Sequence, residues 1–256
     1  MSLFSFLLSK SPKIVNATFD PAWIPILEKD FRLYRELPEV LREKLHDKIA
    51  LFIATKSFEG CNGFELSDEV IVLISAQACI LILNQDELPY PQLHTVLVYP
   101  STFKSMQPTA STGGIITEQE VSRLGESWTT GTVILAWDAT LHGGRDPLDG
   151  HNVTIHEFAH QLDQDDGVAD GAPLSRFSRQ EAIVWCRVMS NSYERYLKIA
   201  NKRGKTVIDR YGATNPAEFF AVVTETFFEK PKQLSRKWPE LYELMVDFYR
   251  LDPLAW

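Results

Sequence analysis

Features that mark specialised protein classes are scarce in this sequence. It has three cysteines, Cys61, Cys79 and Cys186, widely spaced and without a CxxC pair. That excludes a secreted disulfide framework and a thiolate zinc site, and predicts reduced, buried thiols. No run of five Lys or Arg occurs, and 26 basic against 34 acidic residues leave a formal charge of -8. Without a basic footprint for phosphate backbones, direct nucleic-acid binding is disfavoured. No apolar run reaches the roughly 18 residues a membrane-spanning helix needs. The longest, Val70 to Leu83, is interrupted by Ser75 and Gln77 and reads as a core helix. Leu3 to Leu8 is apolar, but no Lys or Arg precedes it and it is short for a signal segment, so a cytoplasmic protein with no membrane association is expected. There is no internal repeat or low-complexity segment, and Gly and Pro are spread as punctuation.

What is present is an ordinary globular composition, 45% hydrophobic and 23% charged over 256 residues, enough chain to bury a sizeable core. One compact unit, 1–256, is expected, with a helical N-terminal lobe over about 1–90 and a core over 91–256. Asp20-Pro21 opens a first helix, Leu37-Pro38 separates a second running to about Lys56, and Ser67 with Asp68 and Glu69 starts a third. Short β-branched runs follow at His94 to Tyr99, Gly114 to Thr117 and Gly131 to Ala136. Helical periodicity then returns in Val153 to Asp163, Arg179 to Ala200, Pro216 to Phe228 and Trp238 to about Leu251. The fold class is α+β, mostly helical, with a small mixed sheet.

His156-Glu157-Phe158-Ala159-His160 is an HExxH motif. On a helix, two imidazoles four residues apart share a face and can bind one Zn²⁺, with Glu157 beside them to activate water. Val153, Phe158, Ala159 and Leu162 supply the apolar surroundings of a helix half-buried under a cleft. A catalytic zinc takes three protein ligands and leaves one position open, so a third ligand is required downstream. Glu181 lies 21 residues after His160 and Glu218 lies 58 after it. Spacing slightly favours Glu181. Glu218 also has a purely local role open to it, since Asn215, Pro216 and Glu218 match a capping box that would hold the carboxylate against its own backbone. On periodicity alone the two candidates stand level.

Thr154 to Asp163, Tyr211 to Ala221 with Asn215-Pro216-Ala217-Glu218, and Phe227-Phe228 together resemble the Mlc titration factor A family of bacterial zinc peptidases. Gly63 to Leu66, Leu97 to Pro100, Gly125 to Trp128 and the Phe248 to Leu254 end extend the resemblance over most of the chain. It implies a gluzincin core similar to the lethal factor catalytic domain, one Zn²⁺ per chain held by His156, His160 and Glu218, and assistance from Tyr211. Glu181 then reverts to a helix-start charge. Asp163 and Glu225 are candidates to orient an imidazole, while His142 and His151 read as exposed loop residues. Some members carry a histidine near the position of Thr117; none lies between His94 and His142 here. The implied activity is peptide hydrolysis with Glu157 as general base and Tyr211 as oxyanion donor, aminopeptidase favoured over endopeptidase. Thr132 to Ala136 is the candidate edge strand for a peptide substrate. The resemblance also implies a possible partner, the sugar-responsive repressor Mlc, and a contrasting reading as a weakly catalytic regulator that titrates it. A zinc that only stabilises the fold is disfavoured, because structural sites usually have four protein ligands.

Overall fold

The computed structural model describes residues 17–85, 88–110, 116–123, 125–128, 131–202 and 204–256. Leu3 to Leu8 and Gly114 lie outside them. Polar caps and prolines start the first helices. The Asp20 carboxylate accepts from the Ala22 amide, and Pro21 opens a 3-10 turn, Pro21–Trp23, leading into α1 (Ile24–Asp30). Then come α2 (Arg32–Glu36) and, behind Pro38, α3 (Glu39–Thr55). The helix α4 (Asp68–Ile80) is apolar on every side and is buried from Val72 through Ile80, as a helix without a polar face must be. Its polar members find acceptors inside: Ser75 donates to the Ile71 carbonyl and Gln77 Nε2 to those of Leu73 and Thr140.

The first third also contributes a strand, β1 (Ser57–Gly60), which pairs in parallel with β2 (Thr95–Tyr99). Next come β3 (Phe103–Ala110) and β4 (Ile116–Arg123), which pair antiparallel as a separate two-stranded sheet. The main sheet has the order β1-β2-β6-β5, with β6 (Thr132–Ala136) parallel to β2 and β5 (Gly125–Trp128) antiparallel to β6. The sheet is therefore mixed, as expected. Thr132 to Ala136 is not an edge strand, however. It is paired on both sides, and its Val133, Leu135 and Ala136 are fully buried, which suits an interior strand. The antiparallel edge is β5.

From β6 the chain turns directly into α5 (Trp137–Arg145), then α6 (Val153–Asp163), α7 (Arg179–Asn201), α8 (Pro216–Glu229), α9 (Pro231–Lys237) and α10 (Pro239–Tyr249). One hydrophobic cluster joins both ends of the chain, running from Leu27 and Phe31 through α4 to Phe158, Phe220, Phe227 and Leu251. Asp30, 1% exposed at the end of α1, pairs with Arg145 of α5 at 2.7 Å and Lys29 at 3.2 Å. At Gly144 a side chain would stand 2.5 Å from the Asp30 carbonyl, so glycine permits the close passage of α5. The cysteines are free, but only Cys79 is buried; Cys186 faces solvent on the outer side of α7 and Cys61 is half-buried. Among the described residues no helix is long and apolar enough to cross a membrane.

Candidate metal centre

Two helices build the site. Asn152 caps α6, its Oδ1 accepting from the Ile155 amide at 3.0 Å. The cap fixes the first turn, and the next brings His156 and His160 to one face, with ring centroids 4.9 Å apart. Asn215 caps α8 in the same way, accepting from the Glu218 amide at 2.9 Å, with Pro216 in the first turn. Only this half of the predicted capping box forms. The Glu218 carboxylate turns from its own backbone to the neighbouring helix, where Oε2 lies 2.9 Å from His156 Nε2 and 3.3 Å from His160 Nε2. The complete box belongs to Ser178 and Glu181 at the start of α7, with bonds of 2.7 Å and 3.4 Å, so Glu181 has the local role.

His156, His160 and Glu218 are the group of His, Cys, Asp or Glu side chains, among the described residues, placed to hold a metal ion, with ligand atoms all within 4.8 Å of one another. Two imidazole nitrogens and one carboxylate oxygen are the donor types of a catalytic zinc site, so the residues fit the ion. The surroundings fit as well. His156 Nδ1 lies 2.7 Å from Glu225 Oε1, and Glu225 Oε2 accepts from the Asn152 amide at 2.6 Å. The same carboxylate thus holds the ring of a prospective ligand and the entry to its helix. Burial alone would lower the His156 pKa, but the carboxylates of Glu225 and Glu218 outweigh it and raise the pKa well above the usual value. Burial opposes ionisation of Glu218 too, yet its contacts with both imidazoles hold its carboxyl far below the normal range.

Glu157, 6% exposed on the same helix, is close enough to feel the charges of both histidines; burial raises its pKa and the two histidines pull the other way. Tyr211 stands at the mouth, half-exposed, its hydroxyl donating to Glu218 Oε1 at 3.3 Å and its ring 5.8 Å from that of His156. His156, His160 and Tyr211 therefore all meet the Glu218 carboxylate. Glu225 makes the expected contact with an imidazole. Asp163 does something different: its Oδ2 accepts from the Gly171 amide at 2.8 Å, and burial pushes its carboxyl up to about 6. It ties the end of α6 to the loop that passes α8, where a side chain at Gly171 would stand 2.5 Å from the Pro216 carbonyl.

Other contributors were not evident from the sequence. Glu229, a helical turn beyond Glu225, is 3% exposed and is pushed up to about 9 by burial and by the neighbouring charges of Glu225 and Asp149. Lys230 Nζ donates to the Asp149 carbonyl in the segment entering α6. His142 pairs with Asp149 at 3.0 Å, and His151 Nε2 lies 3.6 Å from Asp209 Oδ2; both histidines are exposed.

Similarity to known proteins extends over nearly the whole chain. The model of the glucose-regulated metallopeptidase M90 family matches residues 7–250. An uncharacterized protein of Synechocystis sp. is 45% identical over 247 residues, covering 96% of this chain and 89% of the relative. Mlc titration factor A of Klebsiella pneumoniae is 31% identical over 218 residues, 84% of this chain and 80% of its own. The protein of the same name from Escherichia coli O127:H6 is 30% identical over 222 residues, 85% of this chain and 82% of its own. The chain belongs to the glucose-regulated M90 metallopeptidase family.

Proposed function

We propose that the protein is a zinc-dependent peptidase, with His156, His160 and Glu218 holding the ion, Glu157 as general base and Tyr211 as oxyanion donor. The observation that carries this reading is the convergence of both His Nε2 atoms on one Glu218 oxygen, at 2.9 and 3.3 Å. Zinc, when bound, supplies Lewis acidity toward water and the scissile carbonyl. Glu157 takes a proton from the attacking water at its carboxylate and returns it to the departing amine. Such a shuttle needs one carboxylate that can both accept and release the proton, a role open to Glu157 beside the two imidazoles. The Tyr211 hydroxyl, exchanging Glu218 for substrate, donates a hydrogen bond to the developing oxyanion. Such a single donor contributes roughly 10²–10³ in kcat.

The geometry moves the proposed substrate strand from β6 to β5. β5 has a partner on one side only and packs beside α6, so an extended peptide can add there by main-chain hydrogen bonds. The family resemblance favours an aminopeptidase acting in the cytoplasm. A second reading rests on the relatives named Mlc titration factor A: capture of an Mlc-like repressor, with hydrolysis weak or secondary. Aminoacyl and internally quenched fluorogenic peptides, given to the zinc-loaded chain beside Glu157→Gln, decide between them. Cleavage by the parent, lost in the variant with zinc retained, is the expected result and shows whether ends or interior bonds are cut. Zinc bound in both and no hydrolysis in either favours the binding protein.

A further inference from the structure

The short 3-10 turn Arg210–Ala213 carries Tyr211, and its position depends on the residue before it. Asp209 meets three different parts of the molecule. Its main-chain carbonyl accepts from the hydroxyl of Tyr196, a side chain of α7 with no exposed surface. Its Oδ1 accepts from the Tyr211 amide at 2.8 Å and so caps the turn. Its Oδ2 lies 3.6 Å from Nε2 of His151, in the segment that enters α6. The turn is thereby anchored to α7 and capped by the Asp209 side chain, with the segment before the HExxH helix lying alongside. Tyr211 itself is 51% exposed, so packing encloses its ring far less than that of a core tyrosine.

We propose that Asp209 is a positioning residue for the hydrolytic reaction: by capping the turn at the Tyr211 amide it keeps the Tyr211 hydroxyl beside the metal centre. The inference rests on the assignment of Tyr211 as oxyanion donor. Asp209 has no place in the chemistry itself. A donor must sit within a few tenths of an ångström of where charge develops, and a misplacement of about 1 Å costs on the order of 10²-fold. The backbone anchor to Tyr196 survives any change of the Asp209 side chain, so a variant at this position loosens the turn without removing its support in the core.

The test measures kcat, KM and bound zinc for the zinc-loaded full chain on one peptide substrate, with amide exchange followed over residues 210–214. Asp209→Ala, Asp209→Asn, Tyr211→Phe and the double variant Asp209→Ala/Tyr211→Phe are compared. Asp209→Ala is expected to lower kcat by about 10- to 100-fold with KM and zinc content held, and to quicken exchange in the turn. Asp209→Asn, which keeps an oxygen for the Tyr211 amide, is expected to recover most of the loss. Added to Tyr211→Phe, Asp209→Ala is expected to cost no more than about twofold, because the group it positions is already gone. An equal loss from Asp209→Ala in both backgrounds, or parent kcat in Asp209→Ala, overturns the proposal. If Tyr211→Phe is as fast as the parent, the oxyanion assignment fails and this inference falls with it. That case is recognised separately, since Asp209→Ala would still quicken exchange in the turn.

Discussion

Glu225 and Glu229 sit one turn apart on α8, and their surroundings give them opposite tasks. Glu225 faces His156 Nδ1 and the Asn152 amide, so its charge is used twice. Glu225→Gln keeps the shape but weakens the hold on the ring, and zinc affinity is expected to fall by about 10- to 100-fold in a competition titration with a chelating dye. Unchanged affinity would show that Asn152 alone aligns the helix. For Glu229, burial and the nearby charges of Glu225 and Asp149 outweigh what Asn152 and the Gly150 backbone offer, and it takes a proton up to about pH 9. Unfolded, a glutamate loses that proton at its ordinary value, so between the two pKa values the folded chain holds one proton more and stability falls as pH rises. The slope is at most about 1.4 kcal/mol per pH unit. Glu229→Gln removes it, and the thermal midpoint of the variant relative to the parent is expected to climb from pH 5 to pH 8. A constant difference across that range would contradict the assignment. The HExxH pair was legible in the sequence because its spacing is local. Glu218 was not decided by spacing, since Glu181 and the capping-box pattern competed for it, and it took the resemblance to choose. The task of Glu229 comes from burial and from Asp149, roughly 80 residues earlier in the chain, which no local pattern encodes, whereas the Asp209 cap is a local feature hidden among many exposed aspartates.

At the level of elements, the helices with strong periodicity and clear caps were legible nearly to the residue: Val153 to Asp163 is α6, and Pro216 to Phe228 is α8 less its last residue. Trp137–Arg145 was not read as a helix, because Gly143-Gly144 breaks the apolar pattern for the sake of close packing against Asn152 and Asp30. Strand existence was legible where β-branched residues run together, but strand order was not. β6 reads like a candidate edge from its sequence and lies inside the sheet, while β5, Gly-Glu-Ser-Trp, has no alternating pattern and forms the edge. This order yields a prediction about substrates. If a peptide pairs along β5, its amides alternate between facing the strand and facing away. Backbone N-methylation, walked one residue at a time along an internally quenched peptide, is expected to lower kcat/KM at every second position and spare the rest. Uniform tolerance would mean that side chains, not main chain, hold the substrate.

For the whole molecule, the question is whether the metal centre supports the fold or is supported by it. α6 and α8 both insert aromatic rings into the single core, Phe158 against Phe52 and Tyr90, Phe220 against Trp185 and Phe248, Phe227 and Phe228 against Tyr249. Each fully buried ring contributes roughly 1.5–3 kcal/mol from burial alone. The two helices are therefore held together by packing below the site, and the Asp30–Arg145 pair secures the opposite end of the core. Metal bound only by the native chain then adds its linkage free energy without being needed for folding. At free zinc about 100-fold above Kd that is about 2.7 kcal/mol, or roughly 5–10 °C in a chain of this size. Chelation is accordingly expected to lower the thermal midpoint by that amount while the far-ultraviolet helix signal at 25 °C stays unchanged. Glu157→Gln, which removes no ligand, is expected to show the same shift. Collapse of the helix signal on chelation would instead make the ion a structural one, and the assignment of an open catalytic position would have to be given up.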